Sequence, residues 1–136
     1  MSEEIKIITS GKRKRAVARA ILTRGTGKIS INKRDYKQLQ FFDKLKIEEV
    51  IKLVEHYSQK IDFDVKILVH GGGEKGQIDA ARVALAKAIT KFKDSKELTK
   101  MFIDYDRNLL VADVRRKETY KPGDSKARSK RQTSYR

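Results

Sequence analysis

The chain of 136 residues contains no cysteine, no tryptophan and one proline, Pro122. Without cysteine, disulfides and thiolate metal sites are excluded. The two histidines, His56 and His70, are too few for a histidine-based metal site without carboxylate help. Neither has a nucleophile or an acid at a suggestive spacing, so we expect structural or solvated roles for both. The sequence predicts no cofactor and no bound metal.

Long apolar runs are also missing. No run reaches the roughly 18 residues that a membrane-spanning helix requires. The first ten residues, MSEEIKIITS, include two acids and lack the long apolar core of a secretory signal. The length suits a single domain.

Acidic residues are scarce: 33 Lys and Arg face 18 Asp and Glu, which gives a net charge of +15. The excess lies at the ends, with +5 in residues 1–24, +3 in residues 25–114 and +7 in residues 115–136. A large polyanion relieves the repulsion of such a charge, so nucleic acid is the first candidate partner and an anionic membrane surface the second. The helix predicted from Ile47 carries Glu48, Glu49 and Glu55 where a membrane-surface helix needs cations, which disfavours the membrane.

The last 22 residues, 115–136, contain no Val, Ile, Leu, Phe or Met. Such a segment cannot bury enough apolar surface to offset the entropy of ordering it. We therefore expect a globular core over residues 1–114 and an extended basic tail over residues 115–136.

Hydrophobic periodicity predicts an α+β two-layer sandwich, in which helices cover one face of a mixed sheet. We expect strands over residues 5–9, 16–23, 29–31 and 63–69, and helices from residue 47, over residues 77–92 and over residues 98–105. The second and third strands flank the loop signal Gly25-Thr26-Gly27, which predicts a hairpin between them. Residues 109–114 fit either a helix or a strand.

A glycine loop, Gly71-Gly-Gly-Glu-Lys-Gly76, joins a predicted strand to a predicted helix. Its spacing matches the dinucleotide fingerprint, but no second strand ending in an acid follows. The phosphate-loop pattern fails because Gln77-Ile78 replaces the required Lys-Ser/Thr. Two interpretations stay open: a phosphate site at the start of a helix, and a tight turn without a ligand. A nucleotide-binding protein is the alternative function.

No catalytic arrangement is evident. The motif Asp104-x-Asp106-x-Asn108 begins like a calcium loop, but Leu109 and Arg115 stand where glycine and glutamate are needed. The nucleic-acid features instead reinforce one another: two basic ends, tyrosines that can stack on bases, and the glycine loop. The sequence predicts an RNA-binding protein and not an enzyme.

The stretch GGGEKGQIDAARVALAKAI, residues 71–89, closely resembles the signature of the ninth universal family of small-subunit ribosomal proteins. The segments GKRKRAVARAIL and GTGKISIN are similar to the family's opening strand and hairpin, and the C-terminal residues resemble its tail. The resemblance spans residues 5–136. The ending Gln-Thr-Ser-Tyr-Arg, in place of the bacterial Ser-Lys-Arg, resembles the archaeal or eukaryotic branch. Whether Tyr135 replaces the penultimate lysine contact stays open.

The resemblance implies a left-handed βαβ crossover and a structural role in the head of the small subunit of the cytoplasmic ribosome. It implies that the core binds ribosomal RNA, that the tail approaches the anticodon loop of the peptidyl-site transfer RNA, and that other head proteins are neighbours. It implies neither a membrane partner nor a homo-oligomer.

The candidate contacts with ribosomal RNA are the cations of both basic ends, the glycine loop and polar residues of the following helix: Lys12, Arg13, Lys14, Arg15, Arg19, Gly71, Gly72, Gly73, Lys75, Gln77, Arg82, Arg115, Arg116, Lys117, Lys121, Lys126 and Arg128. The tail residues that the resemblance places near transfer RNA are Lys130, Arg131, Tyr135 and Arg136.

Overall fold

The computed structural model describes residues 4–120. Its strands are β1 (Ile7–Arg13), β2 (Ala16–Arg24), β3 (Ile29–Ile31), β4 (Arg34–Asp35) and β5 (Phe63–His70). Its helices are α1 (Phe41–Ser58), α2 (Glu74–Lys93) and α3 (Lys96–Tyr105), with short 3-10 turns at Tyr36–Gln38 and Arg107–Leu109. None of the helices in this part of the chain is long and apolar enough to cross a membrane.

The five strands form one mixed sheet in the order β1-β2-β5-β3-β4. Only β3 and β5 run parallel, and the chain passes from one to the other through β4 and α1. The chain thus makes a βαβ crossover between two parallel strands. The predicted fold class, an α+β mixed sheet with helices on one face, is confirmed. Most elements lie where periodicity predicted them, although α1 begins at Phe41 and not at Ile47.

The predicted hairpin between residues 16–23 and 29–31 is wrong, because β5 lies between β2 and β3. The loop after β2 crosses the end of β5, where the Asp64 carboxylate accepts the backbone N–H groups of Thr26, Gly27 and Lys28. Together these hydrogen bonds hold the pKa of the Asp64 carboxyl below its usual range, and the bond from Lys28 contributes most. The carboxylate thus fixes the loop, and β3 continues on the far side of β5.

Two hairpins form within residues 4–120: the larger joins β1 to β2, and a short one joins β3 to β4. Arg13 pairs with Ala16, so Lys14 and Arg15 make a two-residue turn, with Lys14 in the left-handed region at a φ of 55°. The basic run that the sequence places before the second strand is therefore the end of one strand and a tight turn.

Helix α2 packs directly on this hairpin through small residues. Ala16, Ala18 and Ala20 of β2 are fully buried. A Cβ atom on Gly11 would lie 2.7 Å from the Ala84 nitrogen, so β1 tolerates no side chain there. The buried Thr9 hydroxyl donates a hydrogen bond to the Ala84 carbonyl at 2.8 Å, which offsets the cost of its burial.

The C-terminal part of the described chain closes the core. Leu98 and Phe102 of α3 and Leu109 of the second 3-10 turn are fully buried. Beyond this turn, Asp113 forms an isolated parallel bridge with Arg13. Residues 109–114, for which helix and strand were both possible, form neither beyond this single bridge and the end of the turn.

In the described part of the chain, the opposite face of the sheet carries no helix. Because side chains alternate across a strand, this open face displays cationic and apolar side chains opposite the buried ones. They are Ile8 and Lys12 of β1, Arg19 of β2, and Lys66 and Leu68 of β5, all of them exposed. The open face thus lies available for a partner.

We predict that Gly11→Ala destabilises the fold by about 1–3 kcal/mol, because the added methyl group meets the backbone of α2 and not a flexible side chain. Chemical denaturation of the full chain measures this. Gly73→Ser is the matched control, since a Cβ atom there meets no heavy atom within 4 Å and serine caps helices well. Equal stabilities of the two variants would contradict the packing argument.

Candidate nucleic-acid interface

One end of the sheet gathers three segments that are distant in sequence. Strand β5 runs antiparallel to β2, and His70 pairs with Val17, so the glycine loop emerges beside the β1–β2 turn. The bridge between Arg13 and Asp113 brings the C-terminal segment to the same place. We call residues 12–15, 71–73 and 113–117 together the basic end.

Four hairpin cations project from this region without an acidic partner. Lys12 and Arg19 lie on the open face, and Lys14 and Arg15 occupy the turn. All four are exposed, and within residues 4–120 none lies within ion-pairing distance of a carboxylate. Their charges are therefore available to an external anion.

Arg13 has a different role from its neighbours in the basic run. Its guanidinium lies 3.6 Å from the Asp113 carboxylate and donates a hydrogen bond to the Arg115 carbonyl at 3.3 Å. Arg115 in turn binds Asp113 through its side chain and its backbone N–H, and these bonds hold the pKa of Asp113 well below its usual range. We call Arg13, Asp113 and Arg115 the Asp113 clasp, which fastens the start of the C-terminal segment to the end of β1.

The glycine loop supports the hairpin turn. Gly71 and Gly72 have φ values of 76° and 65°, in the left-handed region that favours glycine. A Cβ atom on Gly71 would lie 2.6 Å from the Arg15 carbonyl oxygen, and one on Gly72 would lie 3.0 Å from the Ala16 nitrogen. These two glycines allow backbone to approach backbone, which supports the tight-turn interpretation for them. Gly73, with open space around it, begins α2 and stays exposed.

The topology does not provide the strand–helix–strand unit of a dinucleotide site. Within residues 4–120, α2 leads into α3, and the strand parallel to β5 is β3, which precedes it in the chain. The hairpin backbone occupies the side of Gly71 and Gly72 on which a Cβ atom would lie. These observations disfavour the nucleotide-binding alternative.

Three predicted contact residues of α2 make contacts within the protein. Lys75 lies 3.0 Å from the buried Asp43 of α1, and Gln77 donates to the Gly71 carbonyl at 3.1 Å. Arg82 bridges Glu49 at 2.7 Å and Asp106 at 3.3 Å, with only 16% of its side chain exposed. They fasten α2 to α1, to the glycine loop and to the turn after α3.

The C-terminal cations divide into described and undescribed residues. Arg116 and Lys117 are exposed, and Lys117 donates to the Tyr120 hydroxyl with its ammonium 4.5 Å from the ring centroid. The remaining predicted tail residues lie outside the described part of the chain: Lys121, Lys126, Arg128, Lys130, Arg131, Tyr135 and Arg136.

Two features of this region escaped the sequence reasoning. Asp113 holds the clasp, and the signal that could have revealed it is its position two residues before Arg115. Lys66 shares the open face with Arg19, which the alternation of β5 could have indicated, because Val65 and Ile67 on either side of it are buried.

Comparisons with known proteins agree with one another. A family model described as ribosomal protein S9/S16 matches residues 11–136. A small ribosomal subunit protein uS9 of Methanococcus vannielii is 47% identical over 131 residues, covering 94% of this chain and 96% of the relative. The protein of the same name from Thermoplasma volcanium is 48% identical over 132 residues, covering 96% and 98%. That of Desulfurococcus amylolyticus is 38% identical over 138 residues, covering 100% and 97%.

We predict that Asp113→Asn loosens residues 113–117, because the neutral amide weakens the bonds to Arg13 and Arg115. Tryptic cleavage after Arg115 and Arg116 in the full chain should become about two- to fivefold faster, the range expected for an exposed ion pair. Asp104→Asn is the control, since Asp104 makes no ion pair within residues 4–120. Equal cleavage rates for both variants would show that the Asp113 clasp does not hold this segment in place.

Proposed function

The chain belongs to the ribosomal protein S9/S16 family, and from this membership we propose that its basic end and open face bind ribosomal RNA in the head of the small subunit. Members of the family are structural constituents of the small ribosomal subunit and not enzymes. The net positive charge indicates a polyanionic partner, and the protein acts in the cytoplasmic ribosome.

The observation that carries the proposal is the group of unpaired hairpin cations. Lys12, Lys14, Arg15 and Arg19 project from one rigid hairpin and have no carboxylate within ion-pairing distance in residues 4–120. Like charges held this close repel one another in the free protein. Phosphates relieve that repulsion and release counterions, which makes binding favourable and dependent on salt.

The backbone of the hairpin turn is held in place before RNA binds. The glycine loop lies against Arg15 and Ala16, and α2 lies against Gly11. Rigid placement reduces the entropy lost on binding. The exposed groups are mainly ammonium and guanidinium ions, which favour contacts to phosphates and to RNA shape over base sequence.

The tail has a second role in this proposal. Residues 115–136 leave the core at the Asp113 clasp and extend along RNA, and residues near the end approach the anticodon loop of the peptidyl-site transfer RNA. Arg136 contacts a phosphate there, with Lys130 and Arg131 as supporting cations and Tyr135 beside them. The clasp supports this assignment, because it fixes where the tail begins. Other head proteins are neighbours, and the chain acts as a single copy.

We predict that replacing Lys12, Lys14 and Arg15 together by glutamine weakens binding of the full chain to a small-subunit head RNA fragment. Removing three phosphate contacts should reduce the slope of log affinity against log salt by about two to three. Filter binding at several salt concentrations measures this slope.

The control replaces Lys60, Lys96 and Lys100 by glutamine, which removes the same charge from exposed positions away from the hairpin. If both triple variants lower the slope equally, the attraction is that of net charge alone. That result would refute the proposed interface.

We predict that small subunits carrying a chain without residues 130–136 bind a transfer RNA anticodon stem-loop more weakly. The deletion removes three cations, so the slope of log affinity against log salt for this binding should decrease in magnitude by about two. Subunits with Arg107→Gln, an exposed core cation, are the control. Unchanged transfer RNA binding would refute the placement of the tail.

A further inference from the structure

Two adjacent phenylalanines at the start of α1 are unusually exposed. Phe41 and Phe42 are 68% and 70% exposed, and their rings meet edge to face with centroids 5.5 Å apart. Phe63 and Phe102 are fully buried by contrast. A paired aromatic surface of this kind marks a contact site more often than a scattered apolar residue does.

The two rings lie outside the hydrophobic core. The buried face of α1 begins further along the helix, with Ile47, Val50 and Val54 fully buried. Neither phenylalanine belongs to the hydrophobic core or packs against it. Two adjacent exposed rings form a larger apolar surface than a single exposed side chain, which makes this patch a candidate contact site.

The segment just before the rings is basic. Lys33, Arg34 and Lys37 are exposed, and within residues 4–120 none lies within ion-pairing distance of a carboxylate. Two of the nearby acids have partners within the protein, because Asp35 accepts the backbone N–H of Lys37 and Asp43 binds Lys75. Glu74 also lies close to this segment.

The spacing between cations and rings suits one or two nucleotides. Four peptide units separate Lys37 from Phe41, so the distance between their Cα atoms is at most about 14 Å. A cleft of about 500 Å³ lies between this segment and the start of α2, and its lining includes Arg34 together with the acids Asp43 and Glu74. The two rings lie outside the lining of this cleft. The segment therefore lies across the start of α2 from the basic end.

We propose that Lys33, Arg34, Lys37, Phe41 and Phe42 form an aromatic–basic site that binds an unpaired nucleotide of RNA. The base stacks on an exposed phenylalanine ring, and the flanking phosphates contact the three cations. The proposal rests on the proposed function, because ribosomal RNA is the polyanion that supplies the nucleotide. It adds a site on the far side of the glycine loop from the hairpin cations.

Charge favours RNA over a protein as the occupant. Three cations without an ion pair in residues 4–120 precede Phe41, the first of the two rings, by four to eight residues in sequence, whereas the cores of protein interfaces are depleted in lysine. Every base offers a π face, and stacking on an aromatic ring contributes roughly 5- to 100-fold in affinity. Phenylalanine offers no hydrogen bond, so the site selects an unstacked base and not a sequence.

The test replaces Phe41 and Phe42 by leucine in the full chain and measures binding to the head RNA fragment. Leucine keeps the apolar character and removes the π face. We expect affinity to fall by roughly 5- to 100-fold with an unchanged salt slope. Lys33, Arg34 and Lys37 replaced by glutamine should instead lower the slope by about two. Tyr105→Leu, an exposed aromatic of α3, is the matched control.

The hairpin variant at Lys12, Lys14 and Arg15 distinguishes failure of the aromatic–basic site from failure of the proposed function. If it weakens binding and the phenylalanine variant does not, the aromatic–basic site is overturned and the proposed function stands. If neither variant changes binding, both are overturned. If the phenylalanine variant keeps RNA affinity but loses a cross-link to a head protein in assembled subunits, the patch is a protein contact and the inference is wrong. An ultraviolet cross-link from Phe41 or Phe42 to an unpaired nucleotide, lost in the leucine variant, would support it.

Discussion

The direct contact between the backbone of α2 and the β1–β2 hairpin is the constraint on which the rest of the structure depends. It requires glycine at position 11 and alanine along β2. Because α2 lies this close, the loop that leads into it must pass against the hairpin turn, which in turn requires Gly71 and Gly72. Every helix within residues 4–120 lies on the same side of the sheet as α2, so in this part of the chain the opposite face is exposed and presents its cations.

The acidic residues are used mainly inside the protein, and this determines where the positive charge is available. Asp64 fixes the loop after β2, Asp43 binds Lys75, and Asp113 holds the start of the C-terminal segment. Arg82 satisfies Glu49 and Asp106 between the helices. Within residues 4–120, the cations left without an ion pair include those of the hairpin, of the open face and of the segment before α1, besides others such as Lys60, Lys96 and Lys100. Along the sequence, the excess charge is concentrated in residues 1–24 and 115–136.

The glycine loop shows how one pattern can serve different chemistry. Its spacing is that of a nucleotide-binding loop, yet Gly71 and Gly72 accommodate the backbone of Arg15 and Ala16. In this protein the loop is a support that holds a cationic turn in position. Gly73, which meets no neighbour, is the glycine of the three that stays open to a phosphate.

The sequence by itself determined the helices, the main strands, the fold class and the basic character of both ends, because periodicity and charge are local properties. Only the tertiary structure decided that β5 separates β2 from β3, because that order depends on backbone pairing between residues far apart in sequence, such as Ile29 with Val65 and Val17 with His70. It also decided that Arg13, Lys75, Gln77 and Arg82 contact other parts of the protein while Lys12, Lys14 and Arg15 face outward. A cation's availability depends on which acids the fold brings beside it, and residue type alone does not specify that.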